Sequence, residues 1–267
     1  MKEKKFKILV LSDLKKSTIS TLKSTASLAK MLDAKVEFFH VKKPTEIIKQ
    51  ENEFAARRTL VKQHVSTAKK IKELLETVSN AYDVKIDSSF SFGNIKSELE
   101  KYIRKSNPDI IVLGKRKPGP LKISDDNITE FILKTFKGSI LITSDKKVLE
   151  PDTPLSLGLL DDYSEYPTMA LEEALMAKTM TPLKAFKIGK KSENQDLISN
   201  DKPVEFVFEQ NANSIKNLAN YLSISNVNLA FLNRRKTGEH SKYNKISELI
   251  RRIDVPILLS NEQAKMA

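Results

Sequence analysis

Short apolar runs alternate along this chain with stretches whose apolar residues recur every three or four positions, the patterns of buried strands and one-sided helices. Lys7-Ile8-Leu9-Val10-Leu11 opens the series and breaks at Ser12-Asp13. Ser17 stands where a helix cap belongs, ahead of Ile19, Leu22, Ala26 and Ala29 at helical spacing. Val36 to Val41 reads as a second strand. A long helix is predicted over much of residues 47–78, with Leu60, Val61, Val65, Ala68, Ile71 and Leu75 as its buried stripe. Residues 84–92 alternate as a third strand up to Gly93-Asn94, and Asn94 can cap a helix carrying Ile95, Leu99 and Ile103. Pro108-Asp109-Ile110-Ile111-Val112-Leu113-Gly114 has the continuous apolar character of a strand buried on both faces. A basic loop follows, then a helix with Ile128, Phe131, Ile132 and Phe136 on one face, then a last strand at Ile140-Leu141-Ile142. This alternation predicts an α/β fold with a parallel sheet.

The same order then repeats in a shorter form. Residues 146–154, with two lysines and two prolines, read as a linker between a first domain at 1–145 and a second at 155–262. In the second copy, strands are predicted at 155–160, 183–188, 204–208, 227–232 and 256–259. Helices are expected over 167–180 (Met169, Leu171, Ala174 and Leu175 inward), after a cap at Ser214 (Ile215, Leu218, Ala219, Leu222), and around Ile246, Leu249, Ile250 and Ile253. The polar segment 190–202 replaces the long helix of the first copy.

Several details in order are informative together: Asp13 after the first strand, His40-Val41 closing the second, and Phe92-Gly93-Asn94 opening the third helix. The strand, glycine turn, helix and strand from Pro108 to Thr143 complete the set. They resemble a universal stress protein domain, over essentially all of residues 1–145. The resemblance implies two tandem Rossmann-like (adenine-nucleotide α-hydrolase-like) domains, each a mostly parallel five-stranded sheet flanked by helices. It also implies that the final strands pair as a pseudo-dimer within the chain, hiding edges that would otherwise invite association, and that two chains form a homodimer.

In nucleotide-binding members of that family the fourth strand is followed by a glycine, two residues, a second glycine and, after a longer gap, a third glycine with a small hydroxyl residue. Glycines let backbone N–H groups approach phosphate closely, and a helix N-terminus adds partial positive charge. Here the first glycine is Gly114, the second position holds Lys117, and the last pair falls on Asp126-Asn127 or Asn127-Ile128. A carboxylate at Asp126 would repel a phosphate ~4 Å away by roughly 4 kcal/mol at an effective dielectric near 20. That would cancel much of a micromolar affinity. Carried over by position, Val41 faces an adenine ring and Asp13 the ribose, with Gly114, Lys115, Lys117 and Asn127 on the phosphate side. Asp13 equally suits an ordinary strand-to-helix turn. The expected cofactor is none, or ATP/ADP held weakly in domain 1. In the second copy Asn233 takes the first glycine position and no nucleotide is expected.

Composition narrows the chemistry. With no cysteine among 267 residues, disulfides, thiolate metal sites and cysteine nucleophiles are excluded. His40, His64 and His240 lack metal-ligand partners at helical spacing, and neither a nucleophile elbow nor a Walker loop occurs, so no reaction and no metal are predicted. Residues 1–150 hold 31 Lys/Arg against 19 Asp/Glu, while the rest balances at 15 each. A basic half admits an anionic partner; most of these lysines read as solvated helix faces, and base-stacking aromatics are lacking, so nucleic acid is not expected. No run approaches the ~20 apolar residues of a membrane span, and the apolar stretch after the lysine-rich start is too short for a signal peptide, which points to the cytoplasm. The reading is a non-catalytic binding or regulatory protein of the stress response with lost or weakened ATP binding and an unknown protein partner. Two alternatives stand beside it: a nucleotide or phosphometabolite sensor using the basic loop Lys115–Lys117, and a nucleic-acid-associated protein using the basic first domain.

Overall fold

The computed structural model describes residues 5–44, 53–115, 127–161, 170–189, 203–234 and 239–261. In its first half, strands β1 (Lys7–Ser12), β2 (Lys35–Lys42), β3 (Ile86–Phe92), β4 (Ile110–Gly114) and β5 (Ser139–Thr143) alternate with helices α1 (Thr18–Leu32), α2 (Glu53–Tyr82), α3 (Ile95–Ser106) and α4 (Ile128–Thr135). The second half carries β6 (Leu157–Leu160), α5 (Ala170–Met176), β7 (Lys184–Ile188), β8 (Val204–Phe208), α6 (Ser214–Ile224), β9 (Leu229–Leu232), α7 (Glu239–Arg252) and β10 (Ile257–Leu259). All ten strands form one sheet in the order β3-β2-β1-β4-β5-β10-β9-β6-β7-β8. Within each half every pairing is parallel, and the halves meet where β5 and β10 pair antiparallel, Leu141 opposite Leu258. The expected intrachain pairing of final strands is therefore the centre of the molecule. Two apolar layers, one on each face of the sheet, run through both halves.

Residues 146–154 are a packed strap rather than a loose tether. Leu149 is buried, its N–H bonds Ser24 Oγ (3.2 Å), and its carbonyl accepts from Ser27 Oγ (2.6 Å). Tyr82 donates to Glu150 (2.9 Å), and burial together with this carboxylate raises the phenol to about 12. The Lys147 ammonium closes the C-terminus of α6 on the carbonyls of Leu222, Ser225 and Val227 at 3.1–3.3 Å, and burial lowers its pKa.

Several local expectations need correction. Along α2 the buried residues are Gln63, Thr67, Ile71, Leu75, Val78 and Tyr82, while Leu60, Val61 and Val65 of the predicted stripe face outward. Ile19 is likewise half exposed on α1, and Ser17 takes a helical conformation with no side-chain cap bond. Helix α6 begins one residue earlier than a Ser214 cap would allow. The Ser214 hydroxyl instead ties the preceding turn, donating to Glu209 O and accepting from Asn211 N, both at 2.6 Å. Asn94 does cap α3, accepting from Ser97 N at 3.2 Å. Met169, the segment 190–202, Lys117 and Asp126 lie outside the described residues.

Candidate functional site

From β1 the chain builds outward through β2 and β3 on one side, then crosses back to lay β4 on the other side of β1. Ligands of open α/β sheets bind at the carboxyl ends of strands flanking such a reversal. A small cleft of about 70 Å³ sits there. Leu11, Phe39, Val41, Ile95, Leu99, Leu113 and Ile128 make its apolar floor, and Ser12, Asp13, Ser17, Thr18, Thr21, Gly114 and Thr129 complete the wall. Asp13, Val41 and Gly114, distant from one another in sequence, thus meet in one cavity. The Asp13 carboxylate is the single ionic side chain among these lining residues. It accepts from Lys15 N at 3.1 Å, with the Lys15 ammonium at 3.7 Å.

The hydroxyls of the wall are largely satisfied by one another. Ser12 Oγ shares a hydrogen bond with Thr18 Oγ1 (2.9 Å) and accepts from Leu14 N (3.1 Å), which holds Leu14 in a left-handed conformation (φ 57°). Thr21 Oγ1 donates to Ser17 O (2.8 Å) and meets Thr143 Oγ1 at 2.9 Å. Behind the first strand, His40 Nδ1 lies 2.8 Å from Ser12 O, so Nδ1 must carry the proton of the neutral ring. Burial lowers the pKa of His40, against the opposing pull of the Ser12 carbonyl and Asp13.

Gly114 has a packing reason of its own. A Cβ there would lie 2.8 Å from Thr21 Oγ1 and 3.2 Å from Ser17 Oγ, so the missing side chain lets the first turn of α1 close against β4. Asn127 caps α4: its Oδ1 accepts from Glu130 N (3.2 Å) and its Nδ2 donates to Glu130 (3.0 Å). Lys115 turns away from the cleft. Its ammonium donates to Ile253 O (2.7 Å) and Asp254 Oδ1 (3.0 Å) in the second half. Of the residues assigned to the site, the structure thus brings three together in the cleft, places Asn127 at a helix cap, and joins Lys115 to the other half.

Sequence reasoning missed Arg234. It is 1% exposed and donates through Nε to Ser260 O (2.7 Å), through Nη1 to Phe136 O (3.3 Å), and through Nη2 to Lys137 O (3.4 Å) and Gly138 O. One signal was available: Arg234 follows β9 at the position Lys115 holds after β4, so the repeat places a cation twice at the same point. Among the described residues no group of three or more His, Asp or Glu is placed to hold a metal, and no helix is long and apolar enough to cross a membrane.

The universal stress protein family model matches residues 6–144. A universal stress protein from Archaeoglobus fulgidus DSM 4304 aligns over 96% of both chains with a TM-score of 0.67 and 18% identity. A functionally unknown protein from Pseudomonas aeruginosa PAO1 covers 96% of this chain and 92% of its own with a TM-score of 0.54 and 11% identity. A putative universal stress protein from Pseudomonas aeruginosa UCBPP-PA14 gives 0.53 and 11% over 96% and 93%. At these identities the likeness is one of fold. No curated protein matches the chain.

Proposed function

The chain belongs to the universal stress protein family, and from that premise we propose that it is a non-catalytic binding and regulatory protein of the stress response with weakened or lost ATP binding. Its two halves serve as tandem domains, 1–145 and 155–262, joined by the strap 146–154. One observation carries the reading: the ionic group lining the cleft is the Asp13 carboxylate, while the Lys115 ammonium is engaged by Asp254. A triphosphate needs cations or a glycine cradle. The described wall offers an apolar floor, internally bonded hydroxyls and a negative charge, a set better matched to an uncharged or cationic group of modest size. The sensor alternative loses one of its three basic residues to Asp254.

Isothermal titration of ATP, ADP, AMP and adenosine tests this. Adenosine is expected to bind at least as tightly as ATP, and Val41→Phe, which fills the floor, should abolish that heat. Tight ATP binding that outranks adenosine would overturn the proposal. Gly114→Val is unsuitable as a control, because its side chain would collide with Thr21 whether or not a ligand binds.

A further inference from the structure

Strand β3 is one of the two outer edges of the ten-stranded sheet, and at seven residues against five it is longer than β8 at the other. It pairs with β2 in unbroken parallel register over all seven residues. Neither proline nor lysine occurs in it and no bulge interrupts it, although these are the usual means of keeping an edge from pairing. Gly93 N donates to Lys42 O at 3.1 Å, on the β2 side. Successive residues turn their peptide groups to opposite sides, so Asp87, Ser89 and Ser91 bond toward β2, while Ser88, Phe90 and Phe92 present N–H and carbonyl groups outward. Among the described residues no backbone group meets that outward row. Side chains alternate as well. Phe90 packs against His64 of α2 (ring centroids 4.6 Å apart), which puts Ser89 on the opposite face, with α3. There the Ser89 hydroxyl oxygen is buried without a hydrogen-bond partner.

We propose that this edge docks a second copy of the chain, β3 pairing antiparallel with its own copy about a twofold axis through Ser89. Ile86 then lies opposite Phe92 of the second copy, Asp87 opposite Ser91, and Ser88 opposite Phe90, while Ser89 meets itself. Ser88 and Phe90 exchange their outward N–H and carbonyl groups in the hydrogen-bonded position. Ser89 falls in the non-hydrogen-bonded position, where side chains come closest, and the two buried hydroxyls bond each other. The same strand thus supplies the partner that Ser89 lacks, at the position the outward peptide groups dictate. Ile86 and Phe92, each half-buried in one chain, cover one another on the α2 face. Charge agrees with this register. Asp87 is the one charge of the strand, it is paired with Lys85 (3.3 Å), and it faces a serine rather than its own copy. Like charges directly opposite would weaken such a ladder, and none are opposite here.

The chain has no cysteine, so single introduced thiols report the pairing directly. Across a non-hydrogen-bonded antiparallel pair the Cα atoms lie ~4.5 Å apart, within reach of a disulfide. Ser89→Cys, a nearly isosteric change, should therefore give a disulfide-linked dimer as the main species on a non-reducing gel after oxidation. Ser88→Cys should stay unlinked, because its own copy lies two residues out of register, beyond the limit of about 7 Å. Light scattering should give twice the mass of one chain for the wild type and the mass of one chain for Ser88→Pro. Proline at this position removes an N–H that points away from β2, so the strand keeps its internal pairing, as an unchanged circular dichroism spectrum would show. The proposal fails if the wild type is monomeric, if Ser89→Cys stays unlinked, if Ser88→Cys links equally well, or if folded Ser88→Pro keeps the doubled mass. Should Ser88→Pro not fold, the contrast between the two thiols decides the matter alone.

Discussion

Asp254 joins the two halves with its side chain and its backbone, accepting from Lys115 and Lys146 through its carboxylate and from Ser144 through its carbonyl. Partial burial alone would raise its carboxyl, but the two ammonium groups outweigh this and hold it below the ordinary value of 3.8. A folded carboxyl with a depressed pKa contributes stability above the unfolded pKa and loses it as pH falls through the folded one. Asp254→Asn should therefore cost about 1 kcal/mol near neutral pH, the scale of a partly exposed ion pair. The gap to wild type should close below pH 3.8, as denaturant titrations across that range would show. Gly114 makes a second residue-level case. Gly114→Ala sets a methyl 2.8 Å from Thr21 Oγ1, and overpacking of this kind costs about 1–3 kcal/mol. Thr21→Ala gives up the hydroxyl's bonds to Ser17 and Thr143 but removes the atom in collision. The double variant should thus be more stable than the sum of the single effects predicts, a non-additivity absent if Gly114 has no packing role.

Helix α2 shows what element length does to a sequence pattern. Its 30 residues run about 45 Å at 1.5 Å each. The 8 residues of β2 span about 26 Å at 3.3 Å each. The helix is therefore longer than the strands it covers, and Phe54 in its first turn stands exposed. Gln63, Thr67, Ile71, Leu75 and Val78 make the inward face, whereas Val61 and Val65 stand exposed on the opposite face of the same turns. Ile71→Ala should cost about 2–5 kcal/mol. Val61→Glu and Val65→Glu should each stay within about 0.5 kcal/mol, and equal losses in thermal melts would contradict this division. The strands were legible because a parallel strand buried on both faces leaves a continuous apolar run. The helix phase was not, because polar Gln63 and Thr67 take the inward face in those turns while the apolar Val61 and Val65 face out. The same limit applies at the site. Asp13, Val41 and Gly114 stand at strand ends, which a strand pattern locates, while the partners of Lys115 lie 138 and 139 residues away.

For the whole molecule, the antiparallel seam between β5 and β10 turns two five-stranded sheets into one, and its stability rests on more than the short β10. Leu141 and Leu258 are fully buried, the strap adds contacts to both halves, and Arg234 places a guanidinium among carbonyls from each. Lys115 is more accessible and has a carboxylate partner that keeps Lys146 in its absence, so Lys115→Ala should cost about 1 kcal/mol. Arg234→Ala differs in kind. It removes the donor to carbonyls on both sides of the seam in a region closed to solvent, and a buried acceptor left without its partner costs about 1–3 kcal/mol. If the seam makes the halves interdependent, that loss lowers the midpoint of a single unfolding transition seen identically by circular dichroism and by tyrosine fluorescence. Two separated transitions in Arg234→Ala, with one half retaining the wild-type midpoint, would instead mean that each half is stable alone and that the seam only docks them. A shared transition is the outcome the arrangement requires, because the final strand of each half has its outer edge covered by the other.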